Sequence, residues 1–239
     1  MSDAKMIVHD PTGLTPDVDA KYPPWKYVAR LPSVSFLDSI GAPNLENFYV
    51  VGEAWASVLG RFMPAGSTVI DIGCGCGRTA RFLLLRPDIR YIGFDVFKPA
   101  IEWADRYLSP LTDGRFRFEH FDAYSAHYNP RGAMQAAEVR FPAPDASADV
   151  AFAASLFTHL LEPDANHYLK ESARVLRPGG VLVASVHIEP KPGEKFSGRE
   201  DRIDVEPAYF QAMAERAGLR LRERLGDVCG QETFAFERR

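Results

Sequence analysis

The residue types best suited to chemistry are concentrated in Asp71-Ile72-Gly73-Cys74-Gly75-Cys76-Gly77. Three glycines at alternate positions let a backbone turn tightly and approach a ligand where any Cβ would clash. A helix starting after them would offer unpaired N–H groups. Asp71, at the end of an apolar run, would face a pyrophosphate unfavourably but suits a cation such as an amino-acid ammonium; the plain alternative is a helix cap. A dinucleotide fingerprint needs glycine at position 78, where arginine stands, and no Gly-Lys-Ser/Thr follows for a P-loop. Two more acids stand at later strand ends, Asp95 closing an apolar run and Asp122 following the alternating stretch 115–121. An acid at such a point, about twenty residues past a glycine loop, can accept both hydroxyls of a ribose. His159, in Ser155-Leu156-Phe157-Thr158-His159-Leu160, and His187 also stand at the ends of apolar runs. Either could take the proton of a hydroxyl as a general base, or could simply be packed or solvated. His127, between Tyr124 and Tyr128, is a weaker candidate. Cys74 and Cys76 are half a metal site with no Cys/His pair at matching spacing, so they read as small loop residues and no metal is expected.

Positioning these groups requires strands that end at them. Residues 68–72, 90–94, 115–121, 149–154 and 181–187 read as five strands. Helical spacing marks 48–62, 78–85, 99–108, 164–176 and 207–217, and Pro178-Gly179-Gly180 reads as a turn between helix and strand. Residues 219–225 and 233–237 follow as a terminal strand pair with no helix between them. Strands separated by helix-length segments imply right-handed crossovers and a buried, mostly parallel sheet. The fold class expected is α/β: a doubly wound, Rossmann-like, mostly parallel seven-stranded sheet with helices on both faces and the last strand antiparallel. Ligands bind such sheets outside the carboxyl ends of the strands. Residues 1–47, rich in Pro, Tyr and Asp, read as an N-terminal arm or cap, and 48–239 as the ligand-binding domain. The connection 124–145 is long. With the arm (Tyr22, Trp25, Tyr27) and the stretch 189–204, it could form a lid.

Composition narrows the partners. The chain has 239 residues and a formal net charge of −4, so it lacks the basic field that general nucleic-acid binding requires, and no nucleic-acid partner is expected. Three sparse cysteines are not a secreted disulfide framework. No apolar run is long enough to span a membrane, and the first ten residues lack a signal-peptide core. The expectation is a cytoplasmic monomer or homodimer acting on a small molecule.

Taken together, Asp71 to Gly77, the later strand-end Asp95, and Arg174-Val175-Leu176-Arg177-Pro178-Gly179-Gly180 resemble class I S-adenosylmethionine-dependent methyltransferases, over roughly residues 48–239. The resemblance implies S-adenosyl-L-methionine as cofactor, with S-adenosyl-L-homocysteine as product. It places Asp71, Gly73, Cys74, Gly75 and Gly77 around the cofactor, Asp95 on the ribose hydroxyls and Val96 against the adenine. It gives Asp122 the adenine amino group, with Ala123 beside it, and puts Ala154 and Ser155 near the methionine part. It also brings the helix bearing Tyr49 and Gly52 close to the cofactor. The implied reaction is methyl transfer to a small acceptor, a hydroxyl of a metabolite, sugar or natural product, with His187 or His159 as base. A non-catalytic S-adenosylmethionine-binding regulator is the main alternative. An NAD-dependent oxidoreductase is disfavoured by Gly77 and Asp71. The N-P-P-Y or D-P-P-Y sequence that resembles amino-methylating DNA enzymes is absent after the fourth strand.

Overall fold

The computed structural model describes residues 30–33, 36, 37 and 40–239. His9, Tyr22, Trp25, Tyr27 and most of the expected arm lie outside them. Helix α1 spans Leu45–Gly60 and is capped by Asn44, whose Oδ1 accepts from Asn47 N at 2.8 Å. Its buried residues Phe48, Gly52, Trp55 and Leu59 recur three or four apart and form one face. Gly52 is required there, because a Cβ would lie 2.6 Å from both Arg78 O and the Phe82 ring. The bare backbone of α1 therefore rests on the turn that follows the glycine loop.

Strand β1 (Thr68–Ile72) leads through that loop into a short helix α2 (Ala80–Leu83), then β2 (Arg90–Asp95), α3 (Lys98–Tyr107) and β3 (Phe116–His120). After a long connection come β4 (Ala148–Ala153), α4 (Glu162–Val175) and β5 (Leu176–Val186). A hairpin of β6 (Phe196–Arg199) and β7 (Arg202–Val205) precedes α5 (Pro207–Arg216), β8 (Leu219–Val228) and β9 (Gln231–Arg238). The seven-stranded sheet has the order β3-β2-β1-β4-β5-β9-β8. β1 to β5 pair in parallel, while β9, last in the chain, runs antiparallel to both β5 and β8 and lies between them.

Alternation along the strands divides the core in two. Val69, Tyr91, Val150, Phe152 and Val183 face α1, α2 and α3, represented by Trp55, Leu83 and Ile101. Ile70, Ile92, Ala151, Leu182 and Phe234 face α4 and α5, represented by Leu169 and Met213. Each fully buried large apolar side chain contributes about 1.5–3 kcal/mol by leaving water.

The structure revises three local expectations. Helix α2 is shorter than 78–85: Arg78 and Thr79 still lie in the turn that follows Gly77, whose φ is 76°, and Leu84 and Leu85 lie in a turn at the other end. Pro178-Gly179-Gly180 is not a turn before β5 but a bulge within it. Leu176 pairs with Ala148 and Val181 with Val150, so 177–180 arch out against Asp149 alone. The stretch 189–204 contains an antiparallel hairpin whose polar sequence carried no strand signal.

Candidate active site

A cavity of about 310 Å³ opens at the carboxyl ends of β1, β2 and β4. Its wall includes Gly73, Cys74 and Gly75 of the loop, Asp95 and Val96 after β2, and Ser155 after β4. Gly73 and Gly75 have φ of 77° and 53°, a region that favours glycine. A Cβ on Gly75 would meet nothing within 4 Å, so this glycine leaves open space beside the cavity. Gly77 serves packing instead, since a Cβ there would lie 2.6 Å from Leu108 Cδ1.

Asp95 ties the loop to β2. Its Oδ2 accepts from Gly75 N and its Oδ1 from Phe97 N, both at 2.8 Å. Burial nevertheless holds its carboxyl above the usual range, although these N–H groups pull it down. Each oxygen keeps a lone pair for a further donor.

Asp71 departs from its expected place on the wall. It pairs in register with Gly93, and Tyr91 stands two residues earlier on the same face of β2. The missing side chain at Gly93 lets the Tyr91 hydroxyl donate to Asp71 Oδ2, behind the loop. Burial pushes the Asp71 carboxyl up to about 8, against the opposing effect of the Tyr91 hydrogen bond. The adjacent thiols are raised for the same reason, Cys76 to about 12, which suits buried loop residues rather than thiolate ligands. Among the described residues, no three His, Cys, Asp or Glu side chains are grouped so as to hold a metal ion.

The loop after β4 also lines the cavity. Ser155 adopts φ 61°, a strained value for a residue with a Cβ. A polar network fixes it: its N–H donates to Ser185 Oγ at 2.9 Å and Gln231 Nε2 donates to its Oγ at 2.7 Å. Ser185 Oγ donates in turn to Gln231 Oε1 at 2.6 Å, and Thr158 Oγ1 donates to Ser155 O at 2.7 Å. The rigid loop presents His159 to the cavity. His159 Nδ1 lies 2.7 Å from the carbonyl oxygen of Glu200, at the tip of the β6–β7 hairpin. A carbonyl only accepts, so Nδ1 carries the proton and Nε2 keeps its lone pair. The edge of the Tyr128 ring packs against the imidazole at 5.9 Å.

The structure thus brings Gly73, Cys74, Gly75, Asp95, Val96, Ser155 and His159 together on the wall of one cavity, with Ala154 among them. Asp71 and Gly77 support that wall from behind. Asp122 and Ala123 are not on it. Asp122 is exposed with its Oδ1 accepting from Asn129 Nδ2 at 3.1 Å, and Ala123 is buried in a bridge to Met134. The long connection folds back on itself at this point, which turns Asp122 outward. His187 is also off the wall. Its carbonyl accepts from Val205 N, and burial, then Arg202, lower its ring below the usual histidine range. Tyr49 is buried against Phe82, also off the wall, so α1 acts through Gly52 and the Arg78 turn.

Arg78, Asp164 and Tyr168 line the cavity without having been singled out from sequence, while Tyr128, Gln135 and Glu200 reach it from the stretches 124–145 and 189–204 read as a candidate lid. Arg78 had a signal, a basic residue directly after the glycine loop. It is largely buried, with no hydrogen bond or ion pair to any described residue, and that burial lowers its pKa. The others come from loops and helix faces that only tertiary folding brings together.

The fold is shared with known methyltransferases. Residues 70–182 match the family model described as Methyltransferase domain. The 27-O-demethylrifamycin SV methyltransferase of Amycolatopsis mediterranei is 35% identical over 121 residues, covering 50% of this chain and 38% of that protein. Methyltransferase GfsG of Streptomyces halstedii is 31% identical over 183 residues, covering 71% of this chain and 58% of that one. The chain therefore spans less than two thirds of the length of either. Among solved structures, the 1,6-didemethyltoxoflavin-N1-methyltransferase of Burkholderia thailandensis, determined with S-adenosylhomocysteine, superposes with a TM-score of 0.61 at 17% identity. That match covers 100% of this chain and 96% of the other, and it establishes the shared fold. Residues 70–182 are thus similar to the Methyltransferase domain family, and the chain shares the fold of that solved methyltransferase.

Proposed function

We propose that the protein transfers a methyl group from S-adenosylmethionine to a hydroxyl of a small-molecule acceptor, with His159 as the general base. The observation that carries this reading is the shared cavity: Asp95, the glycine loop and His159, its Nδ1 held against Glu200 O, all line it. The names of the relatives support the oxygen acceptor, one of them a 27-O-demethylrifamycin SV methyltransferase.

The residues fit the cofactor. Asp95 is placed to accept the ribose hydroxyls and Val96 to flank the base. Gly73 and Gly75 allow close backbone approach. The unpaired Arg78 guanidinium suits a carboxylate such as that of the methionine part. Bound S-adenosylmethionine supplies a sulfonium methyl; its carbon–sulfur bond breaks as a carbon–oxygen bond to the acceptor forms, leaving S-adenosylhomocysteine. His159 Nε2 takes the hydroxyl proton as the oxygen attacks, and Glu200 O stabilises the resulting imidazolium through Nδ1–H. The polar network around Ser155 fixes the loop that bears His159, which would contribute by orienting the reacting groups.

The test is to incubate the protein with S-adenosylmethionine and a panel of phenolic, hydroquinone and polyketide alcohols while measuring S-adenosylhomocysteine. Acceptor-dependent product with mass gain on oxygen is expected. Cofactor binding without product across the panel would instead favour the non-catalytic binder. For an active acceptor, His159→Gln should lower kcat by about 10²- to 10⁴-fold with cofactor affinity unchanged, the range for removing a general base. An unaltered kcat would remove His159 from the chemistry.

A further inference from the structure

One end of the cavity lies between the terminus of β2 and helix α4. Phe94 of β2 packs on Phe141 at 4.8 Å, and Phe141 packs on Tyr168 of α4 at 5.2 Å, which draws the helix over the strand end. Asp164 and Tyr168 are four residues apart, so they share one face of α4, and both line the cavity. Tyr168 feels the charges of both Asp95 and Asp164. Asp95, Val96, Tyr168 and Asp164 thus line the same cavity, with Tyr168 near both carboxyls. The Asp164 carboxyl is half-buried, and among the described residues no side chain donates to it. Burial and the nearby Glu200 raise it, while the Ala137 N–H draws it down. Beyond the Ala137 N–H, this carboxylate has acceptor capacity left for a donor in the cavity that it lines. Asp122, given this role by resemblance, is exposed and engaged with Asn129.

We propose that Asp164, on α4, recognises the adenine amino group of the cofactor in place of Asp122. The proposal rests on the S-adenosylmethionine reading of the site. The amino group offers two N–H donors at the edge of the base, and an acceptor-only carboxylate next to Tyr168 distinguishes them from the carbonyl oxygen of a deaminated base. Discrimination of this kind is strong because the wrong base leaves a half-buried carboxylate facing another acceptor.

The experiment is calorimetric titration of the wild type, Asp164→Ala, Asp164→Asn and Asp122→Asn with S-adenosylhomocysteine and S-inosylhomocysteine. The wild type should prefer the adenosyl ligand by about tenfold or more. Asp164→Ala should lose about tenfold in affinity for it and discriminate no longer, the scale of one lost hydrogen bond to a charged group. Asp164→Asn, isosteric and fold-preserving, should bind both ligands within about threefold, because its amide can present either oxygen or nitrogen. Asp122→Asn keeps an acceptor for Asn129 and should match the wild type. Full wild-type discrimination in both Asp164 variants, or its loss in Asp122→Asn, overturns this assignment alone. Failure of the wild type to bind either ligand overturns the cofactor reading, and this proposal with it.

Discussion

At the residue scale, Asp71 makes the most distinctive demand. Its carboxyl is raised to about 8 by burial, so the folded protein holds a proton there that the unfolded chain releases near pH 4. Between those values the folded state binds more protons, so stability falls as pH rises and is greatest at the acidic end. The slope for one such group is at most about 1.4 kcal/mol per pH unit. Asp71→Asn keeps an acceptor for the Tyr91 hydroxyl and has no proton to lose. Its melting temperature should therefore decline less than that of the wild type between pH 5 and 8, about which a series of thermal melts would decide. Parallel curves for the two proteins would show that Asp71 titrates normally. The sequence displayed Asp71, the glycines, Asp95 and His159, because each closes a strand or follows one directly. It concealed Asp164 and Tyr168, whose approach to the cavity depends on how α4 rotates over β2. It also pointed to Asp122, whose direction is set by a long connection with no periodic pattern to read.

At the element scale, the β6–β7 hairpin acts on the site from outside the main sheet. Ile203 N donates to Thr158 O at 2.8 Å, joining the hairpin to the loop that bears His159. Glu200, at the tip, reaches in two directions. Its carbonyl accepts from His159 Nδ1 at 2.7 Å and its Oε2 from Ala126 N at 2.7 Å. Glu200 is accordingly a positioning residue for the imidazole. Nitrogen-15 NMR of the histidine rings should show His159 protonated at Nδ1 in the wild type and a mixture of tautomers in Glu200→Ala. Glu200→Gln, which retains an acceptor for Ala126, should restore the wild-type signal. A pure Nδ1–H tautomer in the alanine variant would mean that the hairpin holds without this anchor. Helix α1 contributes differently, through Gly52. Gly52→Ala forces a methyl into Arg78 O and Phe82, which should destabilise the fold by about 1–3 kcal/mol in denaturant unfolding, as overpacking does. An unchanged midpoint would show that α1 can lift from the loop at no cost. The hairpin escaped sequence reading because its strands, Phe196–Arg199 and Arg202–Val205, are four residues each and mostly polar. Strands β1, β2, β4 and β5 were legible because burial on both faces demands apolar runs, and β3, at the sheet edge, because its residues alternate.

At the scale of the whole molecule, strand order decides where chemistry can occur. The chain passes from β1 outward through β2 to β3, then returns to β4 on the other side of β1. This reversal opens the crevice beside β1 in which the cavity lies. The inserted β9 places Gln231 beneath Ser155, so the end of the chain also braces the site. Such a fold serves many reactions, and the assignment rests on the cavity and its residues rather than on topology alone. The most direct measurement is calorimetric titration of the wild type and Asp95→Ala with S-adenosylhomocysteine, with NAD in parallel. The account predicts that the wild type binds the sulfur ligand and not NAD, and that Asp95→Ala, still folded, binds it about 1–3 kcal/mol more weakly for the lost charged hydrogen bonds. Binding of NAD alone, or equal affinity in the two proteins, would contradict it.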